Sequence, residues 1–288
     1  MHIPVLQKEV LEYLDPKANE NFIDATIGEA GHTMAILERN KPNGKVLGIE
    51  VDPELFKRVK QQDRLILVND SYVNLKKIVE KYSFKHVNGI FFDLGFSSWH
   101  IEESGKGFSF QKDEPLIMRY DSGQGLTAQE ILNKWSEKEI EKILREYGGE
   151  RFSKRIAREI IKARKVKPIK TTFQLKEIIE KAVPKNYERG RIHPATRTFQ
   201  ALRIKVNDEL ENLKKVLPQA LEVLEPEGKL VMISFHSLED KIVKNFFREE
   251  SKKAQIKILT KKPIRPSEQE IRNNPRSRSA RLRAILKT

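Results

Sequence analysis

The sequence predicts an α/β fold in which a parallel sheet is interrupted by a helical insertion and then resumes. Three observations carry this. Short apolar runs alternate with amphipathic stretches through residues 22–93, strand character vanishes over residues 127–182, and it returns from residue 229 onward. Strict alternation of strand and helix demands crossover connections, which set the strands parallel. Strands buried on both faces are apolar throughout, and these are.

The first strand is expected at 22–26 (FIDAT), and a helix at 31–39 with Met34, Ile36 and Leu37 on its buried side. A second strand follows at 45–52 (KVLGIEVD). Pro53 is placed to open the next helix, where its missing N–H costs nothing. Residues 65–68 (LILV) form a third strand, 72–82 a third helix, and 89–92 (GIFF) a fourth strand ending at Asp93. The period over 127–182 is helical. Ser136 and Glu139 have capping-box spacing, in which each side chain satisfies the other's free backbone donor, just before Ile140, Ile143 and Leu144. Thr171 and Gln174 repeat the signal. Pro194 sits where a helix begins, and the run to Leu224 is long and amphipathic. Strands return at 229–235 (KLVMISF), 256–260 and 282–286. The expected division is 1–112 with 193–288 as one discontinuous domain, and 113–192 as the helical insertion.

The 288 residues are 38% hydrophobic, enough to fill a core. Lys and Arg outnumber Asp and Glu by 55 to 41, a net charge of +14. That excess favours a polyanionic partner, because each phosphate neutralised releases counterions. With no cysteine in the chain, disulfides, thiolate metal sites and a thiol nucleophile are excluded. No apolar run approaches a membrane span, and the first residues carry no apolar signal region, so the expected location is the cytoplasm. The segment 261–283 is rich in Arg, Pro and Ser.

In open α/β sheets, ligands bind beyond the carboxyl ends of the strands. Three such ends carry suitable groups. The first is the turn 24–32 (DATIGEAGH), whose glycines let backbone approach a ligand. The second is Glu50, 19 positions after Gly31, where a carboxylate is suited to a ribose hydroxyl. The third is Asp93, followed by LGFSS. Gly28-x-x-Gly31 is not the G-x-G-x-x-G pattern used against a pyrophosphate, and no phosphate-binding lysine follows it. A nucleoside without phosphates, such as S-adenosylmethionine, fits better.

Longer strings then become recognisable: HIPVL at 2–6, FDLGFSS at 92–98, KGFSF at 106–110, HPATRTFQALRI at 193–204, ISFHSLED at 233–240 and NPRSRS at 274–279. In this order they span nearly the whole chain, which resembles the ribosomal RNA small-subunit methyltransferase H family. The resemblance implies a class I S-adenosylmethionine-dependent methyltransferase (Rossmann-like) fold with an inserted helical domain. It implies methylation of the N4 amine of a cytidine in the decoding centre of 16S RNA, on RNA or the assembled subunit. The family's cofactor positions carry over as Ala30, Gly31, His32, Glu50, Tyr72, Asp93 and His100. Ala30 stands where the family typically has glycine, Glu50 where it has Asp, and His100 where it has Gln. Ile117, in PLIMRY at 115–120, replaces an Asp, and Gly149 replaces a Glu. The alternative, of another class, is a non-catalytic RNA-binding or assembly factor that keeps the fold.

Methyl transfer from a sulfonium is an in-line displacement, so the enzyme must hold the acceptor nitrogen opposite the leaving sulfur. The lone pair of cytidine N4 is delocalised into the ring, and an acceptor for its hydrogens would localise it. Asp93 is the candidate catalytic residue; the competing reading is that it only binds cofactor or caps a turn. No metal is required, and no His/Asp/Glu cluster has ligand spacing. His32, His193 and His236 are given positioning roles, and His193 and His236 are also candidate RNA or substrate contacts. Arg119, in PLIMRY, is a candidate substrate contact. Arg151, Lys154, Arg155, Arg158, Lys162 and Lys165 recur at helical spacing opposite Phe152, Ile156 and Ile160. With Lys167, Lys170, Lys185, Arg189, Arg191 and the Arg-rich segment 261–283, they point to RNA phosphates, and Arg197, one turn after His193, is a further candidate RNA contact. The target base is expected to leave its stack to reach Asp93.

Overall fold

The computed structural model describes residues 3–121, 123, 125–187 and 192–288. His2, Arg189 and Arg191 lie outside the described residues. The chain divides into two compact units, Met1–Gly95 with Leu210–Thr288, and Phe96–Glu209. The inserted unit is thus wider at both ends than the 113–192 drawn from sequence.

The first unit begins with α1 (Gln7–Leu14), β1 (Asn21–Asp24), α2 (Gly31–Arg39), β2 (Val46–Glu50), α3 (Pro53–Arg58), β3 (Leu65–Asn69), α4 (Leu75–Lys81) and β4 (Val87–Asp93). The sequence reading has no counterpart for α1. Asp52 caps α3 by accepting from the N–H groups of Glu54 and Leu55, with Pro53 inside the first turn as expected. Residues 72–74 form a 3₁₀ turn before α4, so the third helix starts later than expected. In α2 the buried residues are His32, Thr33, Ile36 and Leu37, whereas Met34 is 43% exposed. Met34 therefore lies off the face that packs, a correction to the sequence reading.

The second unit is helical: α5 (Ser98–Glu102), α6 (Ala128–Lys134), α7 (Glu137–Glu146), α8 (Ser153–Val166), α9 (Thr172–Ala182) and α10 (Thr196–Val206). Capping boxes form at Thr127/Glu130, Ser136/Glu139 and Thr171/Gln174. Its core packs Ile131, Leu144, Ile156, Ile160, Leu175 and Ile179 together. After α7 the chain turns through Gly149 at φ +60, a left-handed conformation that penalises any Cβ. That geometry favours glycine at this position.

The chain returns through α11 (Glu209–Val223), β5 (Leu224–Ser234), α12 (Ser237–Lys252), β6 (Ile256–Ile258), α13 (Glu268–Asn273) and β7 (Arg281–Lys287). The single long run expected from Pro194 to Leu224 is instead two helices, broken where Asp208 adopts φ 46. Among the described residues, seven strands form one sheet in the order β3-β2-β1-β4-β5-β7-β6. β1 to β5 pair in parallel, as the alternation requires, while β7 lies antiparallel between β5 and β6. Successive residues serve opposite faces: Ile23, Ile90 and Phe92 join one core, Phe22 and Phe91 the other. No described helix is long and apolar enough to cross a membrane.

Candidate active site

The sheet order reverses between β1 and β4, where successive crossovers leave in opposite directions. A crevice opens at such a point beyond the strand ends. Asp24 terminates β1 and Asp93 terminates β4, and the two strands are hydrogen-bonded neighbours. Asp24 is buried; its carboxylate accepts from the Thr33 hydroxyl at 2.7 Å and the Thr26 N–H at 3.2 Å. Burial pushes its pKa up to about 6 against those two bonds.

The turn from β1 into α2 places Gly28 at φ +52 and Ala30 at φ 64. Ala30 N–H donates to Ile27 O at 2.7 Å, and the methyl packs into the core with Val5 and Ile27. At Gly31 an added Cβ would sit 2.4 Å from Pro4 Cγ. These two neighbours should answer substitution differently. In Ala30→Gly, relief of about 1–2 kcal/mol of left-handed strain is offset by about 0.5–1 kcal/mol of added chain entropy and about 0.8 kcal/mol of lost methyl burial. Urea denaturation should show a change under about 1 kcal/mol. Gly31→Ala should cost about 1–3 kcal/mol, because the rigid Pro4 ring cannot give way cheaply.

Glu50 closes β2 and is 7% exposed. It accepts from Gly28 N–H at 3.2 Å and Asp52 N–H at 2.8 Å, which stitches the glycine turn to the α3 cap. Burial raises its pKa to about 7, opposed by the Asp52 N–H bond. Two N–H bonds leave carboxylate lone pairs for further donors. Tyr72, after β3, packs edge-on against Phe92 with ring centroids 5.8 Å apart.

Asp93 has the most perturbed carboxyl here. Its backbone N–H donates to Thr26 Oγ1 at 2.6 Å. Its side chain is 21% exposed, yet Oδ1 is sealed from solvent and has no hydrogen-bond partner among the described residues. Burial is the main cause that lifts its pKa to about 8, with repulsion from Asp24 and Glu239 adding to it. His32 Nε2 stands 3.7 Å from Asp93 Oδ2, and the imidazole lies against Phe91 at 4.5 Å. Asp24, Glu50 and Asp93, each at the carboxyl end of its strand, all have raised pKa values, which a cationic ligand beside them would lower. A positive charge within about 4–6 Å lowers a carboxyl pKa by about 1–3.

The first unit thus carries Ala30, Gly31, His32, Glu50, Tyr72 and Asp93 at the carboxyl ends of its parallel strands. His100 belongs to the second unit, where its Nδ1 accepts from Ser97 N–H at 3.1 Å and its ring stands edge-on to Phe108 and Tyr120. Thr26, Thr33 and Glu239 shape the site but were not singled out by sequence; Thr26 and Thr33 flank the glycine turn, and Glu239 lies in ISFHSLED.

The residues assigned to RNA differ among themselves. On α8, Arg155 and Arg158 are exposed, and Arg158 stands 3.9 Å from Glu137. Arg119 is only 12% exposed and clasps its own loop, donating to Asp121 at 3.0 Å and Gly125 O at 3.1 Å. Arg197 donates to Gly149 O at 2.8 Å, bracing the turn after α7. His193 accepts from Ala195 N–H at 3.1 Å, stacks on Phe110 at 4.5 Å and faces Glu180 at 3.2 Å. His236, in the first unit, is the N-cap of α12 and lies 3.1 Å from Glu239. These four have structural partners that sequence spacing could not reveal.

A family model described as "MraW methylase family" matches residues 1–288. A ribosomal RNA small subunit methyltransferase H of Halothermothrix orenii is 47% identical over 301 residues, covering 98% of this chain and 97% of the relative. A protein of the same name from a Sulfurihydrogenibium species is 45% identical, with the same coverage of each chain. The crystal structure of a putative rRNA-methylase from Clostridium thermocellum matches over 100% of both chains with TM-score 0.50 and 14% identity, a likeness of fold. With the whole length matched and the sheet reversing at Asp24 and Asp93, the chain belongs to the MraW methylase family.

Proposed function

We propose that this chain transfers the methyl group of S-adenosylmethionine to the N4 amine of a cytidine in small-subunit (16S) ribosomal RNA, within the decoding centre. The observation that carries this is the sealed Oδ1 of Asp93, without a hydrogen-bond partner among the described residues, at the point where the strand order reverses. The names of the relatives support the RNA as substrate.

The chain's residues fit the cofactor. Glu50 keeps lone pairs for ribose hydroxyls. Ala30, Gly31 and His32 would line the amino-acid end, Tyr72 would flank the nucleoside, and the raised carboxyls suit a positive charge. Bound there, the cofactor supplies an electrophilic methyl group. Asp93 accepts an N4 hydrogen, which localises the nitrogen lone pair on the reacting side. The proton that N4 releases on taking the methyl from sulfur would pass to Asp93, whose elevated pKa suits it to hold one. His32, beside Asp93, orients the carboxyl. The inserted helical unit recognises RNA, with Arg155 and Arg158 on α8 meeting phosphates; Arg119, His193 and Arg197 brace their own loops and turns in that unit, and His236 caps α12 in the first.

The test is transfer of labelled methyl to small-subunit RNA, followed by nucleoside digestion and mass spectrometry. Label recovered as N4-methylated cytidine is the expected result; label on another base, or none, overturns the reading. In the same assay series, Glu50→Gln should weaken cofactor binding about 10-fold or more by calorimetry, since a charge-assisted bond to a hydroxyl is replaced by a neutral one.

A further inference from the structure

We propose that a basic cleft between α12 and β6, at the outer edge of the sheet, is a second RNA-contacting surface that takes phosphodiester groups of the same substrate. This rests on the reading of the chain as an RNA methyltransferase. The cleft has a volume of about 660 Å³. Lys244, Phe247, Arg248 and Ser251 line it from one face of α12, at the i, i+3, i+4, i+7 spacing of a single helical stripe. Phe247, Ile256 and Ile258 provide apolar walls, and Lys257 and Lys261 add cations from the other side. No Asp or Glu lines the cleft.

The charge is available rather than spent. Arg283, which also lines the cleft, is neutralised by Asp240 at 2.6 Å. Lys244, Arg248, Lys257 and Lys261 are exposed and form no ion pair among the described residues. Elsewhere on the first unit, Lys76, Lys214 and Lys253 each hold a carboxylate at 2.7–2.8 Å. Cations of one sign above low-dielectric walls focus field lines and concentrate a polyanion. A lysine on an edge strand can serve only to block unwanted strand pairing, and that would account for Lys257. It does not account for Lys244 and Arg248, which sit on a helix. The cleft stands apart from the cofactor crevice: β4 to β6 is three strand steps, about 14 Å. RNA is favoured over an acidic protein because four exposed cations line the cleft beside apolar walls and the chain's charge is +14.

The experiment uses the full chain and transcribed small-subunit RNA, with affinity measured across salt concentrations. A variant carrying Lys244→Ala, Arg248→Ala, Lys257→Ala and Lys261→Ala should bind more weakly and lose about 3 from the log–log salt slope, at about 0.7–0.9 per phosphate contact. Lys244→Arg, Lys257→Arg and Lys261→Arg together should keep the slope, and thermal melting should show both variants folded. An unchanged slope in the alanine variant overturns the proposal, as does competition by polyglutamate that matches competition by RNA. A chain that transfers no methyl but loses its salt slope in the alanine variant supports the cleft while refuting the methyltransferase reading. A chain that transfers methyl with the slope unchanged refutes the cleft alone.

Discussion

Replacing Asp93 with Asn is expected to slow methyl transfer by about 10²–10⁴-fold, the usual range for a positioned proton acceptor, while stabilising the folded chain in alkali. The two effects share one cause. The carboxyl is lifted from 3.8 to about 8 by burial and by Asp24 and Glu239. Between those values the native chain holds a proton that the unfolded chain releases. The native state therefore binds more protons, and this group's contribution to stability falls as pH rises from about 4 to about 8. Above pH 8 the full penalty of a buried, poorly solvated charge is present. Asn keeps the shape and removes the charge, so its advantage should be small at pH 4–5 and grow to a few kcal/mol at pH 9, at about 1.4 kcal/mol for each tenfold change in proton affinity. Urea denaturation at several pH values measures this; parallel curves for parent and variant would refute it. The rate of the parent enzyme should climb with pH as Asp93 ionises and then level off. A bound cation should move that rise below pH 8.

The second large effect concerns the fold. Asp240 on α12 accepts from Arg283 Nε at 2.6 Å, Arg283 Nη2 at 3.3 Å and Arg281 Nη1 at 3.3 Å, tying the helix to β7. The Arg283 and Asp240 side chains are 9% and 12% exposed. Asp240→Ala would strand the Arg283 guanidinium away from water and should cost about 3–5 kcal/mol. Removing both charges, as in Asp240→Leu with Arg283→Met, should cost much less, since a well-packed apolar pair replaces a buried ion pair nearly neutrally. A double variant as unstable as the single one would show that the pair holds α12 by more than charge compensation.

Features written in short-range pattern were legible from the chain alone. Periodicity over residues 22–93 marks β1 to β4, and the Ser136/Glu139 and Thr171/Gln174 spacings mark two helix starts. Each depends on neighbours within about four residues, where backbone geometry dictates which side chains meet. The strand ends likewise pointed to the glycine turn at 24–32, to Glu50 and to Asp93. Met34 misled because two apolar residues near it do face the core, and nothing local says that the third does not. The break at Asp208 hid in an amphipathic run because a left-handed residue leaves no mark on hydropathy.

Long-range contacts alone set the remaining features. The antiparallel insertion of β7 between β5 and β6, the bond from Arg197 to Gly149 O, and the pairing of Asp240 with Arg283 join segments whose partners no spacing rule identifies. The same holds for the chemistry at Asp93. Its identity can be read from a string of letters, but its proton affinity is raised by burial and by Asp24 and Glu239, distant in sequence and adjacent only once the sheet has formed. Solvation and Coulomb energies depend on distance in space, and folding is what sets that distance.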